Sequence, residues 1–265
     1  MTLTLSRQAW CPGSALAPAE DFLAPVLSRE RLVRIGQDPA ARRADLEAVR
    51  LRPWYWLVNH VVTLDEDDRQ TPYKRFPAHP FLRRLADLWW WTAYDWREVP
   101  RVPGRAHPSD YARQPWPGLL LPKSRKQHVT WLMASLFFGE CQFVPGRRNM
   151  VQSYKLLEAE AIVEKMKGVW QRQPPWIRQP CEWTTREARF ANDSVFLAVP
   201  GGAEQLQGPT LSGYFCNEAG DLEEPRETFE AALPAVGHGR YVAEGRCPRS
   251  WWFDVLLADK LGDVA

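Results

Sequence analysis

Short apolar stretches alternate with longer amphipathic ones through the second half of the chain, and this alternation constrains the fold more than any other feature. The short stretches have the length of buried strands, whereas the longer ones repeat apolar residues at helical spacing. Strands alternating with helices predict an α/β fold whose mainly parallel sheet is flanked by helices. The predicted strands are Leu119–Leu121, Asn149–Tyr154, Glu182–Phe190, Ser194–Val199, Leu211–Cys216 and Arg240–Glu244. The predicted helices begin near Thr130 and then cover Lys155–Gln171, Glu223–Leu233 and Trp251–Leu257.

The first half of the chain is predicted to be mainly helical. Residues 17–50 fit two short helices, of which the first opens at Pro18 and closes at Gly36. The second opens at Asp38-Pro39, an N-cap followed by a first-turn proline.

Two further segments complete this half. The apolar stretch 53–64 fits either a strand or a buried helix, and His79–Trp96 fits a helix with an aromatic face. Residues 97–117 are rich in proline and glycine, which is typical of a boundary. We therefore expect three regions, which are a flexible N-terminus (1–16), a mainly helical region (17–110) and a core domain (111–265).

Composition indicates a globular protein and leaves its partners open. Of the 265 residues, 45% are hydrophobic and 25% are charged, which suits one large domain or a large and a small one. The formal net charge is only +2, so any nucleic-acid surface must be a local basic patch. Met1–Gly13 lacks the pattern of a secretory leader, and no apolar run is long enough to span a bilayer. A soluble, cytoplasmic protein without a membrane partner is expected.

Cysteine and tryptophan usage adds two expectations. The five cysteines show no CxxC spacing, which argues against a zinc site, and their odd number indicates a reducing compartment. A cluster of tryptophans lies in the first hundred residues, and we interpret it as core packing rather than as a partner surface. The cluster consists of Trp54, Trp56, Trp89, Trp90, Trp91 and Trp96.

Leu119–Trp131 combines a strand, a polar loop and a helix in the order that a phosphate-binding loop requires. Such a loop directs backbone N–H groups and a helix N-terminus at phosphates, while a lysine contacts the terminal phosphate and a Ser or Thr hydroxyl holds Mg²⁺. The usual GxxxxGK[ST] pattern is absent, and basic residues between a strand and a helix are more often only a solvated turn. The pattern by itself leaves both interpretations open.

A second segment, Gly213–Ala219, fits an apolar strand that ends in Asn217-Glu218. In nucleotide hydrolases, the first residue at such a strand end anchors Mg²⁺, and the second polarises the attacking water. Asn217 is a neutral and therefore weaker ligand for a hard cation. Asn-Glu after a strand is also an ordinary helix N-cap, so both interpretations stand on the residues alone.

The order and spacing of these segments resemble the ATPase domain of viral large terminases, the DNA-packaging enzymes of tailed phages. Many members carry a phosphate loop of the form K-[SA]-R-Q-x-G-x-[ST]. This chain is similar in register at Lys123, Ser124, Arg125 and Thr130. The resemblance covers about Leu119 to Trp252 and, more loosely, the N-terminal helices. It implies an ASCE-type P-loop NTPase fold with a helical N-terminal extension.

The resemblance also implies roles for individual residues, with ATP and Mg²⁺ as cofactors. Lys123 is expected on the β- and γ-phosphates and Arg125 at the γ-phosphate in the manner of an arginine finger, while Thr130 is expected to bind Mg²⁺. Asn217 is the second expected Mg²⁺ residue, and Glu218 is expected to be catalytic together with Arg125. The expected ATP-binding residues are Lys123, Ser124, Arg125, Lys126, Gln127, His128, Val129 and Thr130.

Other segments are similar to the family's pattern in the same order. Arg147–Val163 resembles its second strand and following helix, Pro174–Trp176 resembles the end of that segment, and Gly201–Gly208 resembles the loop before the acidic strand. Gly245–Ser250 resembles the coupling motif, in which Cys247 takes the hydroxyl position. Three residues depart from the family's pattern, namely His128 in place of glycine, Asn217 in place of Asp, and Cys247 in place of Ser or Thr.

The function that the resemblance implies is a motor that pumps double-stranded DNA into a procapsid in the host cytoplasm. The expected partners are double-stranded DNA, the portal protein and the small terminase subunit. The chain is expected to be monomeric in isolation and to form a homo-oligomeric ring on the portal. A nuclease domain normally follows the coupling motif, and it is not expected in this chain.

Two other functions stay open. A catalytically weak nucleotide- or DNA-binding scaffold is favoured by the three departures. Another P-loop DNA motor, such as a helicase, fits less well because of the leading lysine and the short gap between the acidic strand and the coupling segment.

Overall fold

The computed structural model describes residues 26–65, 67–91, 118–237 and 239–246, without the side chains of Trp90 and Trp91. Several sequence predictions lie outside the described residues. They concern the flexible N-terminus 1–16, the start of the first helix at Pro18, the boundary 97–117, Trp96, the coupling residue Cys247 and the helix Trp251–Leu257.

Three short helices open the described chain, and they are α1 (Arg29–Gln37), α2 (Pro39–Leu51) and α3 (Pro53–His60). The predicted start of α2 at Asp38-Pro39 is confirmed, since Asp38 accepts a hydrogen bond from the backbone N–H of Ala40 at 2.9 Å. The prediction that Gly36 closes α1 is one residue short. Asp38 ends α1 because a residue before proline is disfavoured in the helical region, and it adopts an extended backbone.

The ambiguous stretch 53–64 contains both a helix and a strand. Pro53 lies in the first turn of α3, whose residues from Tyr55 to His60 are all buried. The β-branched run that follows leads into strand β1 (Val62–Leu64), which pairs antiparallel with β2 (Tyr73–Arg75).

Tryptophans pack in the core at the described positions, as predicted. Helix α4 (Pro80–Trp91) falls within the predicted helix His79–Trp96. Trp56 and Trp89 are both fully buried. Their rings contact Phe143 and Phe137 edge to face, each at 5.7 Å between centroids.

The central sheet has seven strands, which are β3 (Gly118–Pro122), β4 (Arg148–Ser153), β5 (Cys181–Trp183), β6 (Glu187–Phe190), β7 (Val195–Val199), β8 (Gly213–Asn217) and β9 (Arg240–Gly245). Their spatial order is β3-β9-β8-β4-β7-β6-β5. The first five of these run parallel, and β6 and β5 add an antiparallel edge. The predicted α/β class with a mainly parallel sheet is confirmed. Strand β9 separates β3 from β8, as an ASCE-type fold requires.

One strand prediction is wrong in detail. The segment predicted as a single strand, Glu182–Phe190, forms two strands, β5 and β6, which pair with each other. A tight turn joins them, closed by a 2.9 Å hydrogen bond from the backbone N–H of Thr184 to the carbonyl of Glu187. Two adjacent threonines in a polar turn look strand-like by propensity, and the reversal is set by this local hydrogen bond.

Helices cover both faces of the sheet, and they include α5 (Val129–Phe143), α6 (Leu156–Arg172) and α7 (Pro225–Val236). One buried cluster contains α5, α6 and the alternate residue Phe215 of β8, whereas the other contains α7 and its neighbours Tyr214 and Cys216. The alternation follows from the two-residue period of a strand. Helix α5 is buried around nearly its whole circumference, which explains its continuous apolar sequence.

The buried carboxylate of Asp45 on α2 joins the N-terminal helices to the core. It accepts hydrogen bonds from the Tyr55 hydroxyl at 2.6 Å and from the indole N–H of Trp176 at 2.9 Å. Burial raises the pKa of Asp45, but these bonds and the neighbouring His60 outweigh burial and lower it below the usual value. The Pro174–Trp176 segment therefore serves as an attachment point for α2.

Within the described parts of the chain, no helix combines the length and the apolar character needed to cross a membrane.

Candidate functional site

Three parallel strands bring the predicted site residues to one edge of the sheet. Strands β3, β9 and β8 are neighbours, and their carboxyl ends lead into the phosphate loop, Arg246 and Glu218, respectively. Ligands of open α/β sheets bind in the crevice outside the carboxyl ends of the strands. The predicted phosphate loop and the predicted acidic turn therefore lie together in space although they are far apart in sequence.

The phosphate loop, residues 123–128, leads directly into the N-terminus of α5. Ser124, Arg125, Lys126 and Gln127 are exposed, while Val129 is buried and anchors the first turn of the helix. His128 has φ 56° and ψ 13°, which is the left-handed region. This is the conformation that glycine adopts without penalty, so the structure explains why a glycine is usual there and why a histidine strains the loop.

Lys123 is held in place by both its backbone and its side chain. Its N–H donates to the carbonyl of Gly245 at 2.9 Å, which extends the pairing of β3 with β9 into the loop. Its ammonium lies 3.1 Å from Oε1 of Glu218 and 3.7 Å from Oε1 of Glu244, and the side chain is only 11% exposed. Lys123 is thus surrounded by the carboxylates at the strand ends.

Lys126 lies in a different environment. Its ammonium pairs with Asp67, in the turn between β1 and β2, and its side chain is 80% exposed. Of the two loop lysines, only Lys123 contacts Glu218 and Glu244, which agrees with the predicted register of the loop.

Glu244, the penultimate residue of β9, is a site residue that the sequence interpretation missed. The Thr130 hydroxyl donates to its Oε1 at 2.6 Å, and the side chain is completely buried. Burial is the main reason why the pKa of Glu244 is raised to about 7, against the opposing effects of Lys123 and the Thr130 hydrogen bond. The signal available in the sequence was its place at the end of a strand that neighbours the phosphate-loop strand.

Glu218 occupies a sharp turn directly after β8. Its backbone is left-handed, with φ 51° and ψ 47°, and a single 3₁₀ turn, Ala219–Asp221, follows it. Arg246 approaches Oε2 of Glu218 at 3.9 Å and Asp221 at 3.6 Å. Arg246 belongs to the predicted coupling segment, so this segment reaches the acidic turn. Its role as a neighbour of Glu218 was not anticipated.

Close backbone packing joins the ends of β8 and β9. A Cβ on Gly245 would lie 3.2 Å from the backbone nitrogens of Ala219 and Gly220, closer than an ordinary contact. The end of β9 and the acidic turn therefore move as one unit.

Asn217, the predicted Mg²⁺ residue of the acidic strand, is buried and has a partner of its own. Its amide Nδ2 donates to Oγ of Ser153, the last residue of the neighbouring β4, at 3.1 Å. The hydroxyl of Thr130 bonds to Glu244 instead.

A cavity of about 410 Å³ adjoins the phosphate loop. Besides loop residues it is lined by Asp65 and Asp67 from the turn after β1, and by Trp131 and Lys165. The N-terminal region therefore supplies one wall of the pocket beside the loop. A larger cavity of about 870 Å³ lies among α1 and α2 and contains none of the predicted site residues.

The donor set at the strand ends fits Mg²⁺. In the described ranges there is no group of three or more His, Cys, Asp or Glu side chains arranged to hold a metal ion. Mg²⁺ usually keeps several waters and takes one or two protein oxygens together with substrate phosphates. The Thr130 hydroxyl and the Glu244 carboxylate, whose Oε2 is buried and has no hydrogen-bond partner, are oxygen donors of that kind.

No protein-family model matches the sequence, and no curated protein is similar to it. Among solved structures, the chain is similar to the large terminase of bacteriophage HK97, with a TM-score of 0.51 and 11% identity over 72% of this chain and 36% of that one. The large terminase ATPase domain of Thermus phage P74-26 gives a TM-score of 0.40 and 14% identity, over 52% of this chain and 63% of that one. The large terminase of another thermophilic bacteriophage gives 0.45 and 15%, over 66% and 43%.

These comparisons establish the fold. The HK97 large terminase and this chain share an α/β architecture of the P-loop type. The chain spans less than two-thirds of the length of these terminase structures, from 36% to 63%. At 11% identity the likeness speaks for the fold, and the site residues are assigned from their own geometry.

Proposed function

We propose that this chain is an ATP-hydrolysing motor domain of the large-terminase type. The observation that carries the proposal is the convergence of Lys123, Thr130 and Glu218 at one edge of the sheet. These residues lie 88 to 95 positions apart between the loop and the acidic turn, yet the Lys123 ammonium is 3.1 Å from the Glu218 carboxylate. A solvated surface turn has no reason to bury a lysine against two carboxylates.

Phosphate binding is assigned to the loop and the N-terminus of α5. Backbone N–H groups at a helix N-terminus attract anions, and the ammonium of Lys123 adds a positive charge beside them. An ammonium has three donors, so Lys123 can keep its bond to Glu218 and still donate to a phosphate oxygen. Arg125 is exposed in the same loop, which suits a residue that reaches the γ-phosphate.

Hydrolysis is assigned to Glu218. Its carboxylate would orient a water for attack on the γ-phosphorus, whereupon the bond to the bridging oxygen breaks and ADP and phosphate are released. Lys123 and Arg125 would stabilise the negative charge that develops on the phosphoryl oxygens. Mg²⁺ bound with the nucleotide would supply further neutralisation of this charge, with Thr130 and Asn217 as its predicted protein partners.

Arg246 gives this chain a route from the site to the segment that follows β9. It lies 3.9 Å from Glu218 and belongs to the segment that resembles the coupling motif. Loss of the γ-phosphate changes the charge around Lys123 and Glu218, and Arg246 would carry that change into the coupling segment.

The proposed substrate of the motor is double-stranded DNA, moved into a procapsid by a homo-oligomeric ring. The portal protein and the small terminase subunit are the proposed partners of that ring. These assignments rest on the fold shared with a protein described as the HK97 large terminase, together with the site geometry.

The test is steady-state ATP turnover with and without double-stranded DNA, at several Mg²⁺ concentrations. Glu218→Gln should reduce turnover by about 10²–10³-fold and leave ATP binding nearly intact, because losing one preorganised group costs that much. Glu230→Gln is a matched control, since it removes an exposed carboxylate of α7 away from the site.

Two outcomes would reassign the function. If Glu218→Gln hydrolyses ATP as fast as the parent, Glu218 is not the catalytic carboxylate. If neither the parent nor Asn217→Asp hydrolyses ATP, a nucleotide- or DNA-binding scaffold replaces the motor. DNA-stimulated turnover accompanied by strand separation would instead identify a helicase-like motor.

DNA binding offers a second measurement. The net charge of +2 predicts weak binding by the isolated chain through local basic patches such as Arg147-Arg148. Binding measured by fluorescence anisotropy should therefore weaken steeply as salt is raised, because each phosphate contact releases counterions. Tight binding that is insensitive to salt would contradict this expectation.

A further inference from the structure

The acidic strand lacks the carboxylate that a Mg²⁺-nucleotide site needs. Asn217 stands at its end, and an amide oxygen carries no charge to balance a divalent cation. The Asn217 amide is also engaged with Ser153 at 3.1 Å. The charge must come from another residue if the site works with Mg²⁺.

The neighbouring strand supplies a carboxylate at the same level of the sheet. In the parallel pairing of β8 with β9, Cys216 lies opposite Ala243, so Glu244 follows at the height of Asn217. In the pairing of β3 with β9, Glu244 lies opposite Leu121, just before the phosphate loop. Glu244 is therefore one strand nearer to the loop than Asn217.

The contacts of Glu244 identify its direction. Its Oε1 accepts from the hydroxyl of Thr130 at 2.6 Å and lies 3.7 Å from the Lys123 ammonium, the two loop residues proposed to meet Mg²⁺ and phosphate. Its Oε2 is buried and has no hydrogen-bond partner within the described chain. A buried carboxylate oxygen without a partner is costly, and a functional ligand is one explanation for its retention.

We propose that Glu244 takes over the role of the missing acidic-strand carboxylate and, with Thr130, binds the Mg²⁺ that accompanies the nucleotide. The metal-binding carboxylate has thus moved from β8 to β9, while Glu218 keeps its catalytic position after β8. This inference rests on the proposed function, because it assumes that nucleotide phosphates bind at the loop.

A purely structural role for Glu244 predicts a different pattern of effects. If the carboxylate only held Lys123 and Thr130 in place, its loss would disturb the loop and weaken nucleotide binding with or without metal. If it binds the metal, its loss would weaken metal binding selectively. Metal-free nucleotide binding would be unchanged or stronger, because a negative charge beside the phosphates is removed.

The experiment measures two affinities on the purified full chain. Binding of ADP carrying a ribose fluorophore is titrated in EDTA, and binding of Mn²⁺ to the ADP complex is followed by the loss of the free-Mn²⁺ electron paramagnetic resonance signal. The variants are Glu244→Gln, Asn217→Asp and the double variant, with Glu230→Gln as the exposed control. Circular dichroism melts confirm that each variant is folded.

Glu244→Gln should weaken Mn²⁺ binding about 10–100-fold, the usual effect of removing a residue that supports a metal site. Its ADP affinity in EDTA should equal or exceed that of the parent. The double variant Asn217→Asp/Glu244→Gln should regain much of the lost Mn²⁺ affinity, because it restores one carboxylate in the neighbouring strand.

Two results would overturn the assignment while leaving the proposed function intact. One is Mn²⁺ affinity in Glu244→Gln equal to that of the parent. The other is a parallel loss of ADP affinity in EDTA, which would make Glu244 a positioning residue of the loop. If the parent binds ADP neither with nor without Mg²⁺, the proposed function and this inference fail together.

Discussion

The two ends of strand β9 each carry a buried charged residue, and the two ends solve the problem of burial differently. Arg240 at the start of the strand and Glu244 near its end are both almost completely excluded from solvent. Both contact a residue of helix α5, which is Glu140 at one end and Thr130 at the other. The difference lies in how completely each charge is satisfied.

At the start of β9, the charge is enclosed by partners. The Nε of Arg240 donates to Glu140 at 3.3 Å, and its Nη1 donates to the carbonyl of Trp89 at 2.9 Å. The guanidinium also lies 4.0 Å from the centroid of the Trp89 ring. The other oxygen of Glu140 accepts from the amide of Asn149 at 3.1 Å.

At the other end of β9, the charge is left incomplete. Oε1 of Glu244 is engaged by Thr130, but Oε2 has no hydrogen-bond partner in the part of the chain that is described. The nearest cation, Lys123, is shared with Glu218. A single strand thus has a closed network at its amino end and an open one at its carboxyl end, where ligands of α/β sheets bind. Completeness of pairing distinguishes a charge that stabilises the fold from one that serves the site.

The largest expected effect of breaking this contrast is at the closed end. Arg240→Met should lower the free energy of unfolding by about 3–5 kcal/mol, since it leaves the Glu140 carboxylate buried without its cation. Urea denaturation followed by tryptophan fluorescence measures the change. Arg226→Met breaks an exposed ion pair of α7 and should leave the denaturation midpoint unchanged. An Arg240→Met variant as stable as this control would show that the network contributes nothing.

A smaller effect is expected when both members of the buried pair are changed. Glu140→Gln added to Arg240→Met removes the unpaired charge, and its amide can still accept from Asn149. The double variant should be more stable than Arg240→Met alone, with a coupling free energy of about 0.5–3 kcal/mol in a double-mutant cycle. Strictly additive losses would mean that Arg240 stabilises the fold through Trp89 rather than through Glu140.

The fold was predictable from the sequence because each signal is local. Alternating periodicities predicted the parallel strands and α5 to α7, and Asp38-Pro39 predicted the start of α2. The predictions failed where a nearby hydrogen bond overrides propensity. The Thr184 turn splits a predicted strand into two, and the stretch 53–64 changes from helix to strand within a few residues.

The site was predictable only in part because its parts come from three strands. The predicted loop and the predicted acidic turn do meet, as the Lys123–Glu218 contact shows. Glu244 and Arg246 were missed because their positions depend on sheet order, with β9 between β3 and β8. Periodicity shows that Glu244 ends a strand, but it does not show which strands are neighbours. The roles assigned to Arg125 and Asn217 remain predictions, as does that of Cys247.

The smallest effect is expected at the open end of β9, and it separates site from scaffold. Glu244→Gln should change the free energy of unfolding by less than about 1 kcal/mol, well below the effect of Arg240→Met. Lys123 keeps its partner Glu218, the new amide oxygen can still accept from Thr130, and a buried charge with an unsatisfied oxygen is removed. The same urea denaturation, carried out without nucleotide or metal, measures the change. A loss as large as that of Arg240→Met would make Glu244 a stabilising residue like Glu140, and the contrast between the two ends of β9 would disappear.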